Sequence, residues 1–322
     1  MKICAVVLTF NRGALLVECL HALLAQSHAL DHVLVVDNAS TDGTQARLGD
    51  EGLLDRVEYL RLERNLGSSG GFHRGVAEAR RGDWDWVWIM DDDAEPRPDA
   101  LERLLAAPVA ADAGTAVLAP AVLDPDGRIE ARVQRGYFRG RLRPLPREAY
   151  IPGHAPEVDY VSFVGMLVRG GCLRVTEPPK AEFFIWGDDV EYCLRLKRCG
   201  AIRVVPEAAI LHKEVGQSYS NRRARFWNRV LRQEIAPLPF DGFWKQLFGL
   251  RNFVWIKKTY AGQGPLSAAG TIAQFAAKSL MYEDRPLRRL PWIVRFGVDG
   301  RRGRFVNMDP GEWARRSGRG TA

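Results

Sequence analysis

The chain has 322 residues, 46% of them hydrophobic, and a formal net charge of +7. That length and composition suit one large core, or one core with an appended lobe, and exclude a fibrous or disordered chain. The five cysteines, Cys4, Cys19, Cys172, Cys193 and Cys199, form no CxxC pair and leave an odd number, so buried reduced thiols are expected rather than a disulfide framework or a zinc site.

No stretch approaches the roughly 20 apolar residues of a membrane span. Lys2 is followed by only a short apolar run before Asn11 and Arg12, unlike a signal peptide, and a cytoplasmic protein is expected. The charge is uneven: from residue 216 onward 20 basic residues face 7 acidic ones, which leaves −6 for residues 1 to 215. The change of sign predicts a boundary near residue 215.

In chain order, Ile3 to Phe10 is a short continuous apolar run, the pattern of a parallel strand covered on both faces. Leu15, Leu16, Cys19, Leu20, Leu23 and Leu24 then recur at helical spacing, and His32 to Val36 predicts a second buried strand ending at Asp37. Strand, helix and strand in this rhythm form a right-handed βαβ unit. Val57 to Leu62 predicts a third strand, Asn65 to Gly71 (NLGSSGG) a loop of small residues, and Phe72 to Arg81 a helix. The strand predicted at Trp84 to Met90 stops abruptly at Asp91, Asp92 and Asp93, and Pro98 sits where a helix can begin. The fold expected is α/β, an open, mostly parallel, Rossmann-like sheet with helices on both faces. Its ligands bind beyond the carboxyl ends of the strands, where Asn11, Asp37, Asn65 and Asp91 converge.

From about Ala116 to Gly170 the chain is more strand-like and irregular, with an Asp126-Gly127 turn and a candidate strand at Val158 to Val168. Phe183 to Gly200 has an aromatic entry, Asp188 and Asp189 near a helix start, basic residues in the last turn and a glycine stop. A strand pair at Ile202 to Val205 and Ala208 to Leu211 ends at His212. Beyond residue 215 the periodicity is helical over Arg223 to Glu234, Phe243 to Tyr260 and Leu266 to Tyr282, and the Gly- and Arg-rich segment from Asp299 is expected to be poorly ordered.

Three adjacent acids at a strand end raise one another's pKa unless a cation meets them. Asp91 and Asp93 point the same way and can share Mg²⁺ or Mn²⁺ completed by a diphosphate, whereas a solvated acidic turn is the plainer alternative. Thr9, Asn11 and Arg12 with Asp37 fit a nucleotide, although Asp37 can equally open a turn. NLGSSGG lacks P-loop spacing, yet its small residues and Arg74 can approach a phosphate or sugar; a tight turn explains it as well. At the helix start, Asp188 or Asp189 could act as a general base with Glu191 nearby, or both could merely cap.

These residues, in this order, resemble the inverting GT-A glycosyltransferases of family 2. The motifs are TFNR at Thr9 to Arg12, VVDNASTDGT at Val35 to Thr44, NLGSSGGFHRG at Asn65 to Gly75, MDDDAEP at Met90 to Pro96, WGDDVEYCLR at Trp186 to Arg195, and His212. Within the family the chain looks most like the galactofuranosyltransferase and rhamnosyltransferase branch. The resemblance implies a GT-A catalytic domain over residues 1 to 215, with a donor half to about residue 115 and an acceptor half after it, and a basic helical region over 216 to 322. It implies that Asp189 is the catalytic base and that Asp91, Asp93 and His212 bind the metal, Mn²⁺ or Mg²⁺. Thr9, Asn11, Arg12, Asp37, Asn65, Gly70, Arg74 and Asp92 are assigned to a UDP- or dTDP-linked donor, and Trp186, Asp188 and Glu191 to a glycan or lipid-linked acceptor. Gly187 separates Trp186 from the paired acids, a departure from some galactofuranosyltransferases that bears on the donor sugar.

UDP-galactofuranose is the donor expected, with dTDP-rhamnose as the alternative. A non-catalytic, membrane-peripheral glycan-binding protein is the alternative of another class. Phe243 to Tyr260 interleaves Trp, Phe and Leu with Lys and Arg, which suits either a packed helix with a solvated basic face or one lying on anionic lipid at the inner face of the cell membrane. No nucleic-acid motif accompanies the charge.

Overall fold

The computed structural model describes residues 1–130, 135–213, 221–232, 235–308, 312, 313 and 315. The chain divides into two compact units, one of Met1–Ala181 with Asp188–Val215, the other of Glu182–Gly187 with Gly216–Ala322.

The first unit begins with β1 (Ile3–Thr9), α1 (Gly13–Leu24), β2 (His32–Asp37), α2 (Thr44–Asp50), β3 (Glu58–Arg61), α3 (Gly67–Ala79) and β4 (Trp86–Asp91). Strands β3, β2, β1 and β4 lie side by side, all parallel; the runs of Val, Ile, Leu and Trp in β1, β2 and β4 are buried on both faces, while β3 at the edge is partly exposed. The chain continues through β5 (Ala94–Pro96), α4 (Ala100–Ala106), α5 (Pro108–Ala111), β6 (Thr115–Leu123), β7 (Arg135–Phe138), β8 (Leu142–Pro144), β9 (Glu157–Val158), β10 (Tyr160–Val161), β11 (Met166–Arg169), α6 (Gly170–Val175), α7 (Asp188–Leu196) and β12 (Ala201–His212). Strand β11 runs antiparallel between β4 and β6, β12 is parallel to β6, and β5 closes that edge antiparallel to β12. Among the described residues β7, β8 and β10 form a separate small sheet.

Several local expectations change. NLGSSGG is helical from Gly67: α3 presses so closely on the sheet that a Cβ on Gly71 would meet Leu8 at 2.3 Å and one on Gly75 would meet Val6 at 2.6 Å. The small residues serve packing, and they resemble a loop only because glycine weakens the helical signal. The strand expected at Val158 to Val168 is three short strands, each with different partners, interrupted ahead of Gly165 at φ +81°. The expected pair from Ile202 to Leu211 is one strand, β12, with a register shift between Val205 and Ala209. Helix α7 starts only at Asp188, because Phe184, Trp186 and Gly187 hold positive φ. Finally, Cys172 and Cys199 form a disulfide with Cα atoms 5.7 Å apart, while Cys4, Cys19 and Cys193 are buried free thiols. Twenty-seven residues separate the pair, so only the folded arrangement of α6 and the end of α7 reveals it.

The second unit contains α8 (Arg222–Leu231), α9 (Phe243–Tyr260), α10 (Pro265–Tyr282) and α11 (Pro286–Arg302). Phe184, Phe240, Phe243, Phe248, Phe296 and Trp313 share its core. Helix α9 is central: Trp244, Leu247, Phe248, Val254 and Ile256 are buried. Its Asn252 side-chain N–H groups donate to the carbonyls of Phe183, Ile185 and Trp186, and buried Arg251 donates to Phe183 O at 2.9 Å. Of the segment expected to be poorly ordered from Asp299, the first four residues are helical, to Arg302, since Gly297 and Gly300 let α11 approach Ile272 and the Arg251 backbone; residues 309–311, 314 and 316–322 lie outside the described residues. The helix expected to end at Glu234 is described only to Leu231; residues 233 and 234 lie outside the described residues. Among the described residues no helix is long and apolar enough to cross a membrane.

Glycine to alanine in a helix interior ordinarily stabilises by about 1 kcal/mol. At Gly75, where the added methyl meets the stiff side chains of Val6 and Val36, the sign is expected to reverse, with a loss of about 1–3 kcal/mol. Gly270→Ala, facing open space in α10, is expected to follow the ordinary rule. Urea melts of both variants measure the contrast.

Candidate active site

The carboxyl ends of β1 and β2 are stitched together by side chains. Asn11, at φ +54°, receives the Thr41 N–H on Oδ1 at 2.7 Å, and its own N–H donates to Ser40 Oγ at 2.9 Å. Asp42 receives the N–H groups of Gly13 and Thr44. Asn38 reaches the entry of α3, donating to Asn65 Oδ1 and Gly67 O at 3.0 Å each and accepting from Leu66 N–H at 2.9 Å. Asn65 therefore sits in this clamp, with Oδ1 also holding the Gly67 N–H. Gly70 lies under Leu66, and Arg74 is half-exposed with Glu78 3.7 Å away on the same helix.

Asp37 is fully buried. Oδ1 accepts from the Ser40 N–H at 2.8 Å, and Oδ2 accepts from Tyr59 Oη–H and from Arg61 Nη1 at 2.7 Å. Three of its roughly four lone-pair sites are thus occupied within the protein. The Tyr59 hydroxyl, partly desolvated and facing this carboxylate, is held strongly protonated.

Asp91, Asp92 and Asp93 form the turn that carries the chain from β4, inside the sheet, to β5 beside β12. That path pairs Ala94 with His212 and brings the imidazole to the acids. Thr9 Oγ1 donates to Asp92 Oδ2 at 2.7 Å, while Arg12 Nη1 bridges Asp92 at 3.3 Å and Asp93 at 3.0 Å. His212 Nδ1 meets Glu130 at 2.9 Å, and its Nε2 lies 3.5 Å from Asp93 Oδ1. Burial and the two neighbouring carboxylates push Asp91 well up; burial also raises Asp92, to about 6, against the pull of Thr9 and Arg12. Burial works the same way on Asp93, but His212 and Arg12 outweigh it and hold that carboxyl below its ordinary value. Burial would lower His212, yet Asp93 and Glu130 lift it to about 10, so the imidazole is protonated here.

Whether a divalent cation suits these residues turns on one atom. Asp93 Oδ1 is buried with no hydrogen-bond partner, and facing it is an imidazole nitrogen whose ring is oriented by a carboxylate on its other side, the arrangement of metal-bound histidines. The donor set, hard oxygens plus one imidazole, fits Mg²⁺ or Mn²⁺. Among the described residues no three His, Cys, Asp or Glu side chains stand in metal-holding geometry.

Asp188 and Asp189 open α7. Asp188 is buried beside Ser69 of α3, with Oδ2 lacking a hydrogen-bond partner, and burial lifts it to about 6. Asp189 is half-buried, caps the Val190 N–H at 2.7 Å, and is raised to about 7 by burial and by the charge of Asp188. Behind it the fully buried guanidinium of Arg135 donates to Pro120 O, Ser162 Oγ and Val164 O, and its charge favours the Asp189 anion. Glu191 is buried and closed off by Arg195, which holds both carboxylate oxygens. Trp186 belongs to the second unit, where its ring lies over Gly249 and remains 43% exposed.

Sequence reading missed Tyr59, Arg61, Glu130 and Arg135, and quoted Ser69 only as part of NLGSSGGFHRG. Arg61, at the end of β3, carried the same strand-end signal as Asp37. Tyr59, Glu130 and Arg135 bear no motif, and only tertiary packing brings them to the acids.

Comparison with known proteins places the chain in context. The model of the family "Glycosyl transferase family 2" matches residues 4–157. The galactofuranosyltransferase GlfT1 of Mycobacterium tuberculosis is 36% identical, over 65% of this chain and 69% of its own. The N-acetylglucosaminyl-diphospho-decaprenol L-rhamnosyltransferase of the same organism is 28% identical, over 64% and 74%. Among solved structures, GalNAc-T7 with UDP, GalNAc and Mn²⁺ superposes with a TM-score of 0.54 at 13% identity, covering 85% of this chain and 54% of the other, so this chain spans about half of that one. The likeness establishes a GT-A fold.

In the metal-free protein the His212 imidazole is expected to titrate near 10. Glu130→Gln removes one of its two carboxylate partners and is expected to lower that value by at least about one unit, measured by following the ring protons by NMR.

Proposed function

The chain belongs to glycosyl transferase family 2, and from that membership we propose a metal-dependent, inverting transfer of galactofuranose from UDP-galactofuranose to a hydroxyl of a glycan or lipid-linked saccharide. That it is a glycosyltransferase follows from the family. The choice of sugar is supported by the 36% identity to GlfT1, against 28% to the rhamnosyltransferase.

The observation that carries the reading is the pair at the start of α7. Of its two carboxyls, Asp188 is buried against α3 and Asp189 is the more open, with its pKa near that of a base working at neutral pH. In the proposed reaction the Asp189 carboxylate takes the proton of the acceptor hydroxyl as that oxygen attacks the anomeric carbon. The bond from that carbon to the diphosphate oxygen breaks, and the configuration inverts. Asp188, held near Ser69, keeps Asp189 basic through its charge, and buried Arg135 limits how far the pair drifts toward the neutral form.

On the donor side, Asp91, Asp93 and His212 are the residues that would hold Mn²⁺ or Mg²⁺. A cation bound there supplies positive charge beside the departing nucleoside diphosphate. Arg12 anchors the acidic turn through Asp92 and Asp93 and is proposed to lie beside the anionic donor. Thr9 and Asn11 shape the same loop, and Asp92 is the acid that Thr9 and Arg12 fix in place. Asp37 is proposed to receive the base through its remaining lone pair, with Arg61 beside it, and Asn65, Gly70 and Arg74 line the donor from the α3 side.

Asp189→Asn is expected to keep donor binding and to lose about 10²- to 10⁴-fold in turnover. The base acts as the anion, so kcat/KM is expected to rise with pH through about 7 and then level. A variant that turns over normally, or a profile flat from pH 5 to 9, removes Asp189 from the role. Chelator is expected to stop transfer, and added Mn²⁺ or Mg²⁺ to restore it. In a thermal-shift panel with Mn²⁺, UDP-galactofuranose is expected to stabilise the chain by the widest margin; greater stabilisation by dTDP-rhamnose assigns the other donor.

A further inference from the structure

Helix α9 uses its apolar side inside the second unit, but α8 does not. From Asn221 to Arg232 five residues are arginine and none is acidic. Ala224 is the one buried residue of α8. Around the helix, Arg222, Arg225 and Arg229 share one side, and Phe226 and Val230, four apart, form a strip beside it that is 59% and 53% exposed. The helix is nevertheless firmly seated: Asn221 caps the Ala224 N–H at 2.8 Å and donates to Tyr282 O at 2.8 Å, and Arg223 donates to Leu280 O at 2.6 Å.

Beside this seat is a cavity of about 460 Å³ lined by Arg223, Leu280, Arg285, Pro286, Leu287 and Arg288, with Leu287 74% exposed at its rim. The nearby acids are already taken: Glu283 receives the Leu238 N–H, and Asp284 pairs with Arg289. Among the described residues none of Arg222, Arg225, Arg229 and Arg288 has a carboxylate within ion-pair distance.

We propose that α8 and the adjoining cavity form a docking surface for an anionic lipid bilayer. Phe226, Val230 and Leu287 enter the headgroup–acyl boundary, and the arginines meet lipid phosphates. Two features favour a bilayer over a nucleic acid. The exposed apolar side chains of Phe226 and Val230 beside the arginines are costly in water and are relieved by acyl chains, not by a phosphodiester backbone, and the cationic and apolar strips run along the same helix, as in helices that lie in an interface. The proposal stands independently of the donor sugar, because it rests on the second unit alone.

The test is sedimentation of the full chain with vesicles of phosphatidylglycerol and phosphatidylcholine, against vesicles of phosphatidylcholine alone, at low salt. Binding to the anionic vesicles only is expected. Removing two arginines, Arg225→Gln with Arg229→Gln, is expected to weaken the partition coefficient by about 25-fold, near fivefold for each charge. Phe226→Ala with Val230→Ala is expected to weaken it by about tenfold, with circular dichroism and turnover on a soluble acceptor unchanged. Absence of vesicle binding, equal binding to neutral vesicles, unchanged binding by either double variant, or capture of single-stranded RNA in place of vesicles overturns the proposal.

Discussion

The first unit depends on how three consecutive carboxyls are tolerated at the end of a buried strand. Asp91, Asp92 and Asp93 follow a strand whose Trp86, Trp88 and Met90 are buried, so the acids emerge from the interior with little water to solvate them. Arg12 from the neighbouring strand end and His212 from the sheet's far edge meet them, and Thr9 satisfies one more oxygen. Strand order follows from the same need. The acidic turn spans from β4 to β5, so that β5 pairs with the end of β12 and sets His212 against Asp93.

A second constraint acts at the opposite face of the same crevice. Gly71 and Gly75 allow α3 to lie against β1 and β2 without intervening side chains, which lowers its N-terminal end to where Asn38 can clamp it. Ser69, in the first turns of that helix, is thereby set beside Asp188. A packing feature of α3 thus tunes a carboxyl pair that begins another helix more than a hundred residues later. Arg135 completes the environment, a buried cation that donates to Ser162 Oγ and Val164 O and whose charge favours the Asp189 anion.

The second unit divides its aromatic and basic residues by role. Arg251 and Arg289 are buried against Phe248 and Phe243, Arg251 donating to the Phe183 carbonyl and Arg289 pairing with Asp284, so their charge is structural. The arginines of α8 face solvent with exposed apolar neighbours. Composition treats these two populations alike.

The sequence by itself determined the alternating strands and helices of the first hundred residues, because buried parallel strands are unbroken apolar runs and each ends at a polar residue that the fold must expose. It also carried the family resemblance, since Asp91, Asp93, Asp189 and His212 stand in recognisable local motifs. Tertiary structure decided the rest. Whether NLGSSGG is loop or helix depended on what its glycines approach, and the partner of Cys172 on which helix ends meet. Which acid of the Asp188–Asp189 pair is open was set by Ser69 and α3 above it. The basic, aromatic α9 became core while α8 remained exposed, because apolar periodicity records that a face is covered but not what covers it.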